Sequence, residues 1–300
     1  MMRRFLLFLF ILCLVPSLAL AKKHRSKPEA PTASDAQLLC PATAGVGEAF
    51  LVRLRSSRPS TQASLTFQGR TAPVELRKAG KLWEGAALLG TDVLDAAPGR
   101  REVLARLTPK GKSLRAAIEI HAVKRPTESL TLDPAMVNPP REALPRIARE
   151  RAQARAVLGT ASPLRLHDFS FARPTAGAVS SIYGIGRVLN GEPHAPHRGL
   201  DLEAEVGDAV VAAADGVVAL VGDFYYAGRC VYVDHGQGMY TLYFHLSEPK
   251  VDIGQRVARG QLLGLAGETG RSTRPHLHFS VSTLGRLVDP EPLFGYTALP

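Results

Sequence analysis

The feature that most constrains this chain is a period-two alternation of apolar residues, cut into short runs by glycine and proline. Phe50, Val52 and Leu54 alternate with Leu51, Arg53 and Arg55, and Leu65 and Phe67 flank Thr66. Val103, Ala105 and Leu107 alternate with Leu104 and Arg106, and Ile118, Ile120 and Ala122 alternate with Ala117, Glu119 and His121. Successive side chains of a strand face opposite sides, so such runs describe strands with one buried face. Turn signals recur at Gly69, Gly80, Gly99 and Gly111. With 27 Gly, 22 Pro and only 6% aromatics, the composition favours short strands and turns over long helices. The predicted fold class is all-β, beginning with an antiparallel β-sandwich over residues 37–125. Within it Trp83 and His121 read as a packing residue and a solvated one.

Residues 126–164 change character and read as a short helical linker. After Pro139-Pro140 the stretch Arg141 to Leu158 is rich in Ala, Arg, Glu and Leu, with Ile147, Ala154 and Leu158 along one helical face. Pro145 is expected to break this helix early, and Gly159 to stop it. Residues 165–300 return to strands as a second antiparallel domain. Val206-Gly207-Asp208-Ala209-Val210 leading to Gly216-Val217-Val218 resembles Ile253-Gly254-Gln255-Arg256-Val257 leading to Gly260-Gln261-Leu262. Between them a hairpin is predicted, with strands Cys230 to Asp234 and Met239 to His245 around a turn His235-Gly236-Gln237-Gly238.

A length of 300 residues suits about two domains. The N-terminus reads as an export signal over residues 1–21: Arg3 and Arg4, an apolar run Phe5 to Val15, then Ala19-Leu20-Ala21 as a cleavage site. A polar leader follows over residues 22–36. Removing the signal takes away two arginines and lowers the net charge from +10 to +8. No apolar run reaches the ~18 residues of a spanning helix, so no stable membrane span is expected after cleavage. Localisation is expected to be the periplasm, the cell envelope or the exterior. Export and the lack of a basic, aromatic-interleaved motif argue against nucleic acid. Cys40 and Cys230 remain after cleavage and read as two packed thiols. Oligomeric state is not encoded in any pattern seen here.

Six of the nine histidines lie between His194 and His278. In His276-Leu277-His278 the two imidazoles share a strand face, about 6.5–7 Å apart. In His197-Arg198-Gly199-Leu200-Asp201 a flat strand would separate His197 and Asp201 by about 13 Å, so the chain must bend, and Gly199 permits it. One imidazole and one carboxylate from this segment plus one imidazole from the other make three ligands. A tetrahedral site so built keeps a fourth position for water. Zinc is favoured over Fe(II), which the same donors also suit. Either member of the HxH pair satisfies the spacing.

These motifs occur in order with Ser181-Ile182-Tyr183-Gly184, Val211-Ala212-Ala213-Ala214-Asp215-Gly216, Val233-Asp234-His235-Gly236, Tyr240 to Leu246, Thr269-Gly270-Arg271-Ser272-Thr273, Pro275-His276-Leu277-His278-Phe279 and Val288-Asp289-Pro290. From Ser180 to about Phe294 the chain resembles the lysostaphin-like zinc endopeptidases, which cut peptide bonds in peptidoglycan. The resemblance implies a metallopeptidase domain with a groove, one zinc ion held by His197, Asp201 and His278, and catalytic assistance from His276 and His245. One imidazole would orient the water or carry a proton to the leaving amine, and a second would donate to the oxyanion. The implied partner is a peptidoglycan peptide. The chain departs from the family pattern at Arg274, where Gly is usual, and at Ser280, where an acid is frequent. His194 reads as a loop histidine. Two other readings share these residues: a non-catalytic peptidoglycan-binding or amidase-activating module on the same scaffold, and a lipoyl or biotinyl carrier. The complete ligand set opposes the first, and the lack of a lysine at the hairpin tip opposes the second. The leading domain is expected to regulate or position the second.

Overall fold

The computed structural model describes residues 35–108 and 113–295. The export signal, all but the end of the polar leader and the Gly111 turn lie outside the described residues. The fold is all-β and mostly antiparallel.

Two sheets face each other in the first region. One contains Ala36–Leu39, Ala49–Ser56, Leu82–Gly90 and Arg77–Ala79 in that spatial order. The other runs Thr43–Gly45, Ser113–His121, Gly99–Thr108, Gln62–Phe67, Arg70–Glu75. All pairs are antiparallel except Thr43–Gly45 with Glu119 to His121. The alternation read from the sequence is what fills the space between them. Phe50, Val52 and Leu54 point inward from one sheet, and Leu65, Phe67, Val103, Ile118 and Ile120 from the other. Phe50 and Phe67 meet edge to face across the gap, with centroids 5.2 Å apart. Ala122 falls beyond the last strand and is exposed.

The strand Leu82–Gly90 behaves differently from its neighbours. Ala87 and Leu89 belong to the core between these two sheets, whereas Ala86 and Leu88 belong to the core of the second β region. Burial on both faces replaces alternation with a continuous apolar run. Further bonds close the seam. The Tyr183 hydroxyl donates to Leu287 O at 2.7 Å and accepts from Val93 N–H at 3.1 Å, while the Leu287 N–H donates to Asp92 Oδ2 at 3.1 Å. The described residues from Asp35 onward form one compact unit.

The helix Leu144–Leu158 carries Pro145 in its first turn, so the proline does not break it: an N–H is free there in any helix, and the fixed φ suits the start. A four-residue helix Pro134–Val137 precedes it. Ala154, Val157 and Leu158 pack on a cluster of Leu220, Phe224, Cys230, Tyr232, Tyr240 and Leu242. Gly159 caps the helix in an αR rather than a left-handed conformation.

The second region is organised by one large sheet. Its order is Val179–Ser181, Leu200–Glu203, His276–Thr283, Met239–Leu246, Gly228–Gly236, Gly216–Phe224, Arg256–Val257, with Arg286–Val288 added beside His276–Thr283. The two similar segments pair crosswise: Ala209–Val211 with Leu262–Leu265, and Gly216–Phe224 with Arg256–Val257. The hairpin strands are longer than the sequence predicted, and His235 lies inside Gly228–Gly236 rather than in the turn. It is fully buried, because its ring bonds to interior groups rather than to water. Cys40 and Cys230 are free thiols. Among the described residues no helix is long and apolar enough to cross a membrane.

Candidate metal centre

Strand register builds the site. Asp201, on Leu200–Glu203, sits directly opposite His278 on His276–Thr283, and Glu203 sits opposite His276. Cross-strand partners place their side chains together on one face. His197 lies just before the strand Leu200–Glu203, where the chain folds back. Gly199 is needed there for close approach: a Cβ would lie 2.4 Å from His278 Nε2 and 2.6 Å from Ser280 Oγ. Its φ is not in the left-handed range.

Three atoms converge. His278 Nδ1 is 2.7 Å from Asp201 Oδ1 and 2.9 Å from His197 Nε2, which is itself 3.0 Å from Asp201 Oδ1. Ligands of a tetrahedral zinc with bonds near ~2.0–2.1 Å stand ~3.3 Å apart, so the triangle is of the right size. Among the described residues this is the one group of three or more His, Cys, Asp or Glu side chains placed to hold an ion.

The remaining ring atoms decide which nitrogens carry protons. The carbonyl of Ile182 accepts from His197 Nδ1–H at 3.0 Å, which leaves Nε2 with a lone pair. The Ser280 hydroxyl donates to Arg198 O at 3.0 Å, so it accepts from His278 Nε2–H at 2.9 Å and leaves Nδ1 with a lone pair. Two lone pairs and a carboxylate oxygen thus face one another, an arrangement that fits a cation among them. Ser280, flagged as a departure from the family pattern, therefore orients a ligand-type histidine. Burial pushes His278 down to about 4, against the opposing pull of Asp201. The other carboxylate oxygen, Oδ2, accepts from Arg187 Nη2 at 3.0 Å.

His276 and His245 stand beside this triangle. His276 Nε2 is 3.7 Å from Asp201 Oδ1, and the His245 and His276 ring centroids are 4.8 Å apart. His276 Nδ1–H donates to Arg274 O at 2.8 Å. His245 Nδ1–H donates to Thr269 O at 2.7 Å. Each neutral ring therefore presents a lone pair at Nε2. The one proton of the neutral His245 ring is thus directed at the Thr269 carbonyl. Burial, then the charges of His276 and His278, push His245 down to about 3. Its backbone is left-handed, with φ 63°, a sparsely populated conformation for a histidine. Arg274 is exposed, and it is its carbonyl that faces the site. His194 ends the strand Glu192–His194 and lies outside this group.

Comparison with known proteins places this geometry. Residues 195–290 match the model of peptidase family M23. The peptidoglycan DD-endopeptidase ShyA of Vibrio cholerae is 45% identical over 95 residues, which is 32% of this chain and 22% of that protein. The DD-carboxypeptidase/endopeptidase Mpg of Neisseria meningitidis is 42% identical over 94 residues, 31% of this chain and 22% of that one. The chain thus spans about a fifth of the length of the curated relatives it matches. A crystal structure described as a peptidase M23 from Pseudomonas aeruginosa is alike over 82% of this chain and 93% of its own, with 29% identity and a TM-score of 0.65. Residues 195–290, in which all three converging atoms lie, form a peptidase M23 domain.

Proposed function

We propose that this chain is an exported zinc endopeptidase that hydrolyses cross-links or stem peptides of peptidoglycan in the bacterial envelope. The observation that carries the reading is the triangle of His197 Nε2, Asp201 Oδ1 and His278 Nδ1, with two further imidazole lone pairs beside it. His197, Asp201 and His278 would hold the ion. When bound, zinc supplies Lewis acidity toward a peptide carbonyl and lowers the pKa of water. His276 accepts a proton at Nε2 from the attacking water and hands it to the leaving amine; the Arg274 carbonyl fixes its tautomer. His245, pinned by Thr269, offers a second acceptor at Nε2 that orients the water or the substrate N–H. The names of the relatives, peptidoglycan DD-endopeptidases among them, support the substrate class.

The test is digestion of purified sacculi by the full chain, with released fragments read by mass spectrometry. Cleavage that requires zinc and is lost in His276→Ala upholds the proposal. Zinc-free protein that binds walls without cutting them replaces it with the binding-module reading.

A further inference from the structure

Asp201 serves best as a one-oxygen ligand when something holds the other oxygen. Arg187 Nη2 does so at 3.0 Å from Oδ2, and the pair is mostly withdrawn from solvent, with side-chain exposures of 16% and 12%. Arg187 lies on the strand Gly186–Leu189, outside the stretch matched by the family model. An arginine beside a carboxylate tends to engage both oxygens in a two-pronged bond. That geometry would draw Oδ1 away from His197 and His278. Something must turn the guanidinium so that only one prong reaches Asp201.

Glu128 is placed to do this. It belongs to the strand Thr127–Leu130, in the connection between the two β regions, which pairs in parallel with Gly186–Leu189 so that Glu128 is the register partner of Arg187. Its Oε1 accepts from Arg187 Nε at 2.9 Å. With Nε occupied, Nη2 alone is left facing Asp201. The same Oε1 accepts from the Ser181 hydroxyl at 3.0 Å, and Ser181 Oγ lies 3.3 Å from His197 Nδ1. One carboxylate oxygen is therefore one step removed from two of the three ligand-type residues. Its charge also compensates Arg187, so that Asp201 keeps a net negative surrounding for a dication.

We propose that Glu128 is a positioning residue of the metal centre, acting through Arg187 on Asp201 and through Ser181 on His197. The inference rests on the reading of His197, Asp201 and His278 as zinc ligands. Its consequence is that the stretch matched by the family model does not carry its whole metal site: the connecting strand supplies an outer support.

The test is zinc binding by the full chain, measured by competition with a chromophoric chelator. Glu128→Ala is expected to weaken zinc affinity by ~10–100-fold, the usual cost of losing an outer partner of a metal ligand. Glu128→Gln, which keeps the shape and loses the charge, should fall between it and the parent. In an Arg187→Ala, Ser181→Ala background, Glu128→Ala should have little further effect, because its route to the ligands is gone. Glu102→Ala, which breaks an exposed pair with Arg115 in the sandwich, should leave zinc affinity unchanged. Melting of the zinc-free protein separates a folding defect from a positioning one: the zinc-free melting temperature should move little while affinity drops. If Glu128→Ala does not fold, the Glu128→Gln affinity decides. Parent-like affinity in the folded Glu128 variants overturns the inference. A parent chain that binds no zinc overturns instead the functional reading on which it stands.

Discussion

Two histidine groups lie in the second β region, and they differ in what their lone pairs face. At one, His197, His278 and Asp201 turn lone pairs toward one another. At the other, His167 and His235 lie with ring centroids 6.3 Å apart, and each ring bonds to a different partner. His235 Nδ1–H donates to Asp215 O at 2.7 Å, and Nε2 lies 2.7 Å from the Thr241 hydroxyl. His167 Nδ1 accepts from the Phe169 N–H at 3.1 Å. Both groups are buried and both hold histidines whose basicity burial lowers: His235 is pushed down to about 4, and His167 falls well below its ordinary range. Burial and a shifted pKa therefore do not mark a metal site. What sets the candidate metal centre apart is the convergence of lone pairs around a carboxylate.

The sharpest way to break that contrast is Asp201→Asn. Zinc content after dialysis should collapse, with affinity down by more than the ~100-fold that loss of an outer partner costs, whereas His235→Gln should keep its zinc. Retention of zinc by Asp201→Asn would erase the distinction between the groups. Next in size is His276→Ala, expected to lower wall hydrolysis by ~10²–10⁴-fold with zinc retained; loss of the metal in that variant would move His276 into the ligand set. The group of His167 and His235 should appear in acid stability instead. A neutral buried His235 resists protonation in the folded state, so stability is full above pH 6.5 and falls as pH drops from 6.5 toward 4, by on the order of 3 kcal/mol. Denaturant unfolding across that window reads the slope, and His235→Gln should make it shallower, with the buried His167, His245 and His278 keeping their share. An unchanged slope would assign the acid lability elsewhere. The smallest effect is expected for Ser280→Ala, which leaves His278 Nε2–H without its acceptor: zinc affinity about 10-fold weaker, read by chelator competition. Parent-like affinity would show that the strand alone orients His278.

The sequence displayed much of this in local form. Alternation identified the sandwich strands because the period-two rule acts within a few residues, and the HRGLD and HLH motifs carried the three ligand-type residues. The requirement for a bend at Gly199 was readable, but not its reason, since the His278 ring that a Cβ would strike arrives from a distant strand. Spacing left open which histidine of the HxH pair faces Asp201; register answers it geometrically, by pairing Asp201 with His278. His235 reads as a turn residue because the flanking glycines signal one, while the bonds that bury it come from Asp215 and Thr241. Glu128 gave no signal at all. It lies in a stretch that reads as a connection, and its value comes only from a parallel pairing that no local pattern encodes.

The strand Leu82–Gly90 has one further consequence. Because its odd and even positions serve two different interiors, inserting a single residue in it would send each apolar row to the wrong side. Both halves would then lose their filling together. A shared partition of this kind ties the inheritance of the leading half to that of the chemistry: neither can drift in sequence, or be trimmed away, without the other registering the change.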